Sequence, residues 1–99
     1  MEIKIQLTEN KKQKPDSSVL GFGKYFTDHM AMITWNAEQG WHNARIVPFE
    51  NLSIHPASTV LHYGAEIFEG LKAYKTEDGR VLIFRPDKNI ERANNSNRR

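Results

Sequence analysis

Ninety-nine residues, 38% hydrophobic and 26% charged, make one domain at most, with room for a modest core, and exclude a disordered tail. The formal charge of +2 comes from 14 Lys and Arg against 12 Asp and Glu spread through the same segments, which is not the footprint of a nucleic-acid binder. There is no cysteine, so disulfides, thiolate metal sites and a thiol nucleophile are excluded, and no apolar run approaches the length of a bilayer crossing. The first residues carry lysines but no apolar stretch of the secretory kind, so a cytoplasmic location is expected.

Ile3, Ile5 and Leu7 alternate with polar or charged residues, which predicts a half-buried strand. The polar run TENKKQKPDS, with Pro15, is expected to be a linker or surface arm, so residues 1–17 form a unit of strand and linker before the domain proper at 18–99. GFGKY sets Phe22 between two glycines. TDHMAMITW, from Thr27 to Trp35, has apolar residues on both faces and predicts a well-covered strand, turned by NAEQG. Ala44 to Phe49 is its expected partner, with Pro48 confining it to an edge or ending it.

In LHYGAEIFEGLKAY the periodicity fits a helical turn through Ile67, Phe68 and Leu71, followed by a strand from about Gly70. Asp78-Gly79 supplies the positive φ of a hairpin turn, and RVLIF is the return strand. Pro86 suits the first turn of a helix, where its missing N–H costs nothing. Asp87 lies near that helix's positive end and Arg98 and Arg99 lie late, both favourable for the dipole, and the helix is expected to run to the end of the sequence.

The words GFGKYFTDHM, Trp35-Asn36, HPAS, LHYG, FEGLKAY, FRPDKNIER and NNSNRR, in this order and spacing, resemble the amino-terminal domain of branched-chain amino acid aminotransferases, pyridoxal-phosphate enzymes of fold type IV. The resemblance runs from about Gly21 to Arg99. It implies an α+β fold, a small mostly antiparallel sheet with one or two packed helices, and pyridoxal 5'-phosphate as cofactor. It implies transamination of leucine, isoleucine and valine with 2-oxoglutarate, and a homodimer when intact. Members of the family continue into a larger domain that carries the lysine forming the Schiff base with the cofactor. Lys24, Lys72, Lys75 and Lys88 match surface or scaffold positions instead, so this chain is expected to be a fragment without a catalytic residue, inactive alone.

By the same resemblance Arg92, in NIER, holds the cofactor phosphate. A guanidinium suits that task, because it is always charged and its forked donors match phosphate oxygens. The competing reading is a helix arginine paired with Asp87 or Glu91. Phe22, Tyr63 and Phe68 match residues that wall the pocket for the branched side chain. An apolar wall is what such discrimination requires, although Phe and Tyr more often serve as plain packing. His29, His42, His55 and His62 show no metal-binding spacing and are read as structural. Gly21-Phe22-Gly23 lacks the third glycine of a dinucleotide loop. Glu69-Gly70 is expected to make the bend into the following strand. The alternative to a partial transaminase is a non-catalytic truncated domain that folds or pairs without turnover.

Overall fold

Asn36 starts the first hairpin by local chemistry. Its Oδ1 accepts hydrogen bonds from the N–H groups of Glu38 (3.1 Å) and Gln39 (2.7 Å), and Gly40 closes the turn at φ 64°. In the computed structural model, which describes residues 1–98, this turn joins β2 (His29–Asn36) to β3 (Gly40–Pro48). The strands pair antiparallel from His29↔Pro48 to Asn36↔Gly40. Between Met32↔Arg45 and Thr34↔His42 the ladder takes one extra residue on β3, and Asn43 absorbs it at φ 53°. Asparagine tolerates that left-handed backbone better than a branched residue would. Arg45 staples the bulge, its Nη1 donating to the Asn43 carbonyl (2.9 Å) and to Thr34 Oγ1 (3.2 Å).

A short strand β1 (Lys4–Ile5) runs parallel to β3 on its other side, so β3 is the central strand of a three-stranded sheet. Pro48 therefore does not confine β3 to an edge. It ends the strand, beyond the reach of β1, where no ladder hydrogen bond is lost. The polar arm after β1 is held against β2 by its backbone. Thr8 N–H donates to His29 Nε2 (2.9 Å), and Lys12 N–H donates to Asp28 Oδ1 (3.0 Å). Phe26 and Phe49 stack at 5.6 Å, with the Lys12 ammonium over the Phe49 ring. A single 3₁₀ turn, Ser17–Val19, is capped by Asp16. These elements make up one compact unit, Met1–Ser53.

Ile54–Arg99 forms the second unit. Helix α1 (Thr59–Tyr63) ends at Gly64, whose φ of 58° and N–H bond to the Thr59 carbonyl make a glycine C-cap. The helical turn thus precedes Gly64, and Ile67, Phe68 and Leu71 lie in irregular backbone between α1 and the next strand. Periodicity placed it late because three apolar residues at helical spacing also suit an extended segment seated on a neighbour. Strands β4 (Ala73–Lys75) and β5 (Val81–Ile83) form the second hairpin, with Gly79 at φ 85° as its sequence requires. Helix α2 (Pro86–Ser96) begins with Pro86 in its first turn and Asp87 beside it. It ends at Asn97, whose N–H bonds the Ala93 carbonyl, so Arg98 lies past the last turn and Arg99 lies outside the described residues.

The fold is α+β, with antiparallel pairing predominant. Its apolar residues, however, are largely uncovered: among the described residues Ala44 is the one buried hydrophobic residue, and α2 buries none. Ile3, next to β1, and Ile5 within it, and Ile33 and Trp35 of β2, are exposed, although alternation predicted burial for the first pair and two-sided cover for the second. The accessible surface is 9546 Å², where a folded monomer of this mass has about 5,800 Å². The strands thus have the apolar pattern of covered elements without the cover. Among the described residues no helix is long and apolar enough to cross a membrane.

Candidate functional site

In α2, Asn89 and Arg92 are three residues apart and therefore share a face. Both reach Glu69, in the irregular segment before β4. Arg92 Nε donates to Glu69 Oε2 (2.8 Å) and Arg92 Nη2 donates to Glu69 Oε1, a two-point grip on the carboxylate. Asn89 Nδ2 spends both its hydrogens on the same segment, one on Glu69 Oε1 (3.1 Å) and one on the Gly70 carbonyl (2.7 Å). The carboxylate is thus held by three donor contacts from one helix. Its side chain is 16% exposed, while that of Arg92 is 67% exposed.

This asymmetry sets the electrostatics. The hydrogen bond from Arg92 is the main cause that holds the Glu69 carboxyl down at about 2, against the opposing effect of partial burial. Arg92 is raised reciprocally, chiefly by its bond to Glu69. The partner that local spacing suggested for Arg92 was Asp87 or Glu91. Glu91 instead pairs with Lys88 (2.7 Å), and Arg92 reaches back 23 residues to Glu69. Among the described residues Nη1 of Arg92 makes no hydrogen bond, so one edge of the guanidinium is gripped and the other is without a partner.

The same helix face continues into an open cleft. Asn95 and Ser96, one turn beyond Arg92, line it with Glu66, Ile67 and Phe68, and its rim extends to Gly64 and Ala65. Phe68 offers it an uncovered ring, 85% exposed. Tyr63, the last residue of α1 before the Gly64 cap, is 84% exposed. Phe22 belongs to the first unit, standing fully in solvent between Gly21 (φ 65°) and Gly23 (φ 66°). Arg92, Phe68 and Tyr63 belong to the same unit, and of the three Phe68 lines the cleft. All three aromatics are nearly fully exposed, as are many of the chain's other apolar residues.

Sequence reading overlooked Glu69, Asn89, Asn95 and Ser96. The signal for the last three was present: positions 89, 92, 95 and 96 follow helical spacing on the stretch that Pro86 opens. Glu69 had no such signal, because its pairing crosses a hairpin.

The histidines and three of the lysines make local contacts. His29 and His55 accept backbone N–H groups, and His42 and His62 meet backbone carbonyls at 2.8 Å. Lys24 and Lys72 lie over the neighbouring rings of Tyr25 and Tyr74, and Lys88 is in its ion pair.

A donor-rich helix face beside exposed aromatic rings can hold an anionic, partly apolar ligand. A guanidinium, an amide and a hydroxyl are groups a phosphate takes; Asn95 and Ser96 line the cleft, while Glu66, which also lines it, adds a negative charge that opposes an anion there.

No protein-family model matches the chain. It is 54% identical over 97 residues to branched-chain-amino-acid aminotransferase 2 of Bacillus subtilis (strain 168), covering 98% of this chain and 27% of that protein. To a probable branched-chain-amino-acid aminotransferase of Staphylococcus aureus (strain MRSA252) it is 55% identical over 94 residues, 95% of this chain and 26% of the relative. To the cytosolic branched-chain-amino-acid aminotransferase of Rattus norvegicus it is 57% identical over 81 residues, 82% and 20%. The chain spans about a quarter of the length of the curated relatives it matches.

Proposed function

We propose, from the premise that these 99 residues are a homologous segment of the branched-chain-amino-acid aminotransferases, that they supply the phosphate anchor and part of the side-chain pocket of such a transaminase. The observation that carries this reading is the grip of Glu69 on one edge of Arg92, which leaves Nη1 without a hydrogen-bond partner among the described residues, on the helix whose Asn95 and Ser96 line a cleft with Phe68. Pyridoxal 5'-phosphate, when bound, supplies the electron sink on which an amino group is exchanged between a branched-chain amino acid and a 2-oxo acid. Arg92 would hold its phosphate, with Asn95 and Ser96, which line the cleft further along α2, as further donors. Phe68 and Tyr63, and Phe22 from the first unit, would offer apolar surface to the branched side chain. By the same resemblance none of the chain's lysines matches the Schiff-base position, so the reactive amine is assigned to the rest of the enzyme, which we take to act as a homodimer in the cytoplasm.

The test uses a full-length relative that has the same side chains at the matching positions, written in the present numbers. Phe68→Ala is expected to raise KM for leucine roughly tenfold or more while changing that for 2-oxoglutarate by less, since each lost methylene contact weighs on the apolar substrate alone. Equal changes for both substrates would remove Phe68 from the pocket. The 99-residue chain by itself is expected to show no turnover of leucine with 2-oxoglutarate.

The pH dependence follows from Glu69. Its folded value, about 2, lies below the ordinary 4.5, so the pair's contribution to stability is complete above pH 4.5 and is lost as pH falls toward 2. Glu69→Gln is therefore expected to flatten the acid limb of the Tm profile over that window. An unaltered acid limb would show that other carboxyls govern it.

A further inference from the structure

We infer that Glu69 is the positioning residue for Arg92: by gripping the Nε edge of the guanidinium it aims the Nη1 edge at the ligand's phosphate. This rests on the reading of Arg92 as phosphate anchor and adds to it a residue that touches no part of the cofactor.

Arginine side chains are long, and an exposed one samples many rotamers; a fork that must meet two oxygens at once is useful only when its plane is fixed. Arg92 is two-thirds exposed and would be free to turn, yet two of its donors end on one carboxylate. That carboxylate is itself held by further contacts. It is largely covered, and Asn89 ties both its Oε1 and the adjoining Gly70 carbonyl to the helix that bears Arg92. The chain of contacts runs from backbone to amide to carboxylate to guanidinium, and each link fixes the next. A grip on Nε and Nη2 leaves Nη1 as the part of the fork without a partner among the described residues.

Glu69 also has an opposing effect, since its negative charge weakens the pull of Arg92 on an anion. The two effects differ in range and screening. Attraction between exposed charges is damped by water and salt, whereas orientation of a forked donor acts at contact distance and is not. Loss of Glu69 is therefore expected to weaken phosphate binding, although it raises the local positive charge.

The experiment compares two ligands, pyridoxal phosphate and pyridoxal, by equilibrium titration of their absorbance on the apo form of a full-length relative with the same pair. Glu69→Gln is expected to weaken pyridoxal phosphate about tenfold, the scale of one lost charge-assisted hydrogen bond, and to leave pyridoxal within about twofold. Arg92→Ala should weaken pyridoxal phosphate at least as much, and the double variant no further than Arg92→Ala alone, because the two act through one group. Glu69→Asp keeps the charge on a shorter arm and should recover part of the loss. If Glu69→Gln does not fold, the same two-ligand comparison on Glu69→Asp decides. A purely structural Glu69 would weaken both ligands alike, and a dominant charge effect would tighten pyridoxal phosphate; either result overturns the positioning role while Arg92→Ala still reports the anchor. Undiminished binding in Arg92→Ala would instead overturn the anchor, and the positioning role with it.

Discussion

In a full-length relative, Arg92→Ala is expected to weaken pyridoxal phosphate by roughly ten- to a hundredfold, the range for a charged hydrogen-bonding group lost from an anion. The effect should exceed that of Glu69→Gln, since it deletes the donor and not only its aim. Arg92→Lys separates charge from shape. Lysine keeps the cation but presents a point charge instead of a fork, and it cannot make the two-point contact with Glu69. It should restore less than half of the loss on a logarithmic scale, and the restored part should vanish with added salt. The measurement is a titration of the apo form at two ionic strengths. Full restoration by lysine would mean that charge alone binds the phosphate and that the orientation set by Glu69 is irrelevant.

The second large effect concerns the chain by itself. Expressed alone, the 99 residues are expected to melt without a cooperative transition and to bind a hydrophobic dye strongly. The surface left open exceeds that of a folded monomer of this mass by on the order of 3,700 Å², more than one partner's share of even a large obligate interface. It includes residues that normally form a core: Ile33, Trp35 and Trp41 in the first unit, Leu71, Leu82 and Phe84 in the second. Burial of such side chains stabilises by ~1.5–3 kcal/mol each, and a chain that forgoes most of it cannot offset its conformational entropy. The hairpins and α2 would then be only partly formed. Differential scanning calorimetry and dye fluorescence check this; a sharp two-state endotherm with no dye binding would show that the chain covers these residues by itself. In a full-length relative the same positions are expected to be protected, so an Ile33→Asp variant there should lower Tm by several degrees or prevent folding, while in the isolated chain it should change little.

Much of the local structure was legible. The Asn36 to Gly40 turn, the Asp78-Gly79 hairpin and the Pro86 helix start each depend on the chemistry of one to four neighbouring residues, and each lies where the sequence indicates. Errors came where the decisive partner is distant. The bulge at Asn43 depends on register against β2, and the central position of β3 depends on β1, some 40 residues earlier. The helical turn was placed on Ile67 to Leu71 because apolar spacing does not distinguish a helix from an extended segment lying along one, whereas the left-handed Gly64 ends α1 before it. Burial failed most widely, because alternation reports which face a strand offers and not whether anything covers it.

The candidate site divides along the same line. By itself the sequence determined the helix on which Arg92 sits, the face it shares with Asn89, Asn95 and Ser96, and the likeness to the aminotransferases on which the proposed function rests. Helical periodicity is local, and shared words survive at any distance. Only the tertiary structure decided that Arg92 turns toward Glu69 rather than Asp87 or Glu91, that Asn89 holds that carboxylate in place, and that Phe68 stands open beside them. Those facts rest on which residues the hairpin brings to the helix, and a contact across 23 residues is set by the path of the chain, which no local preference encodes.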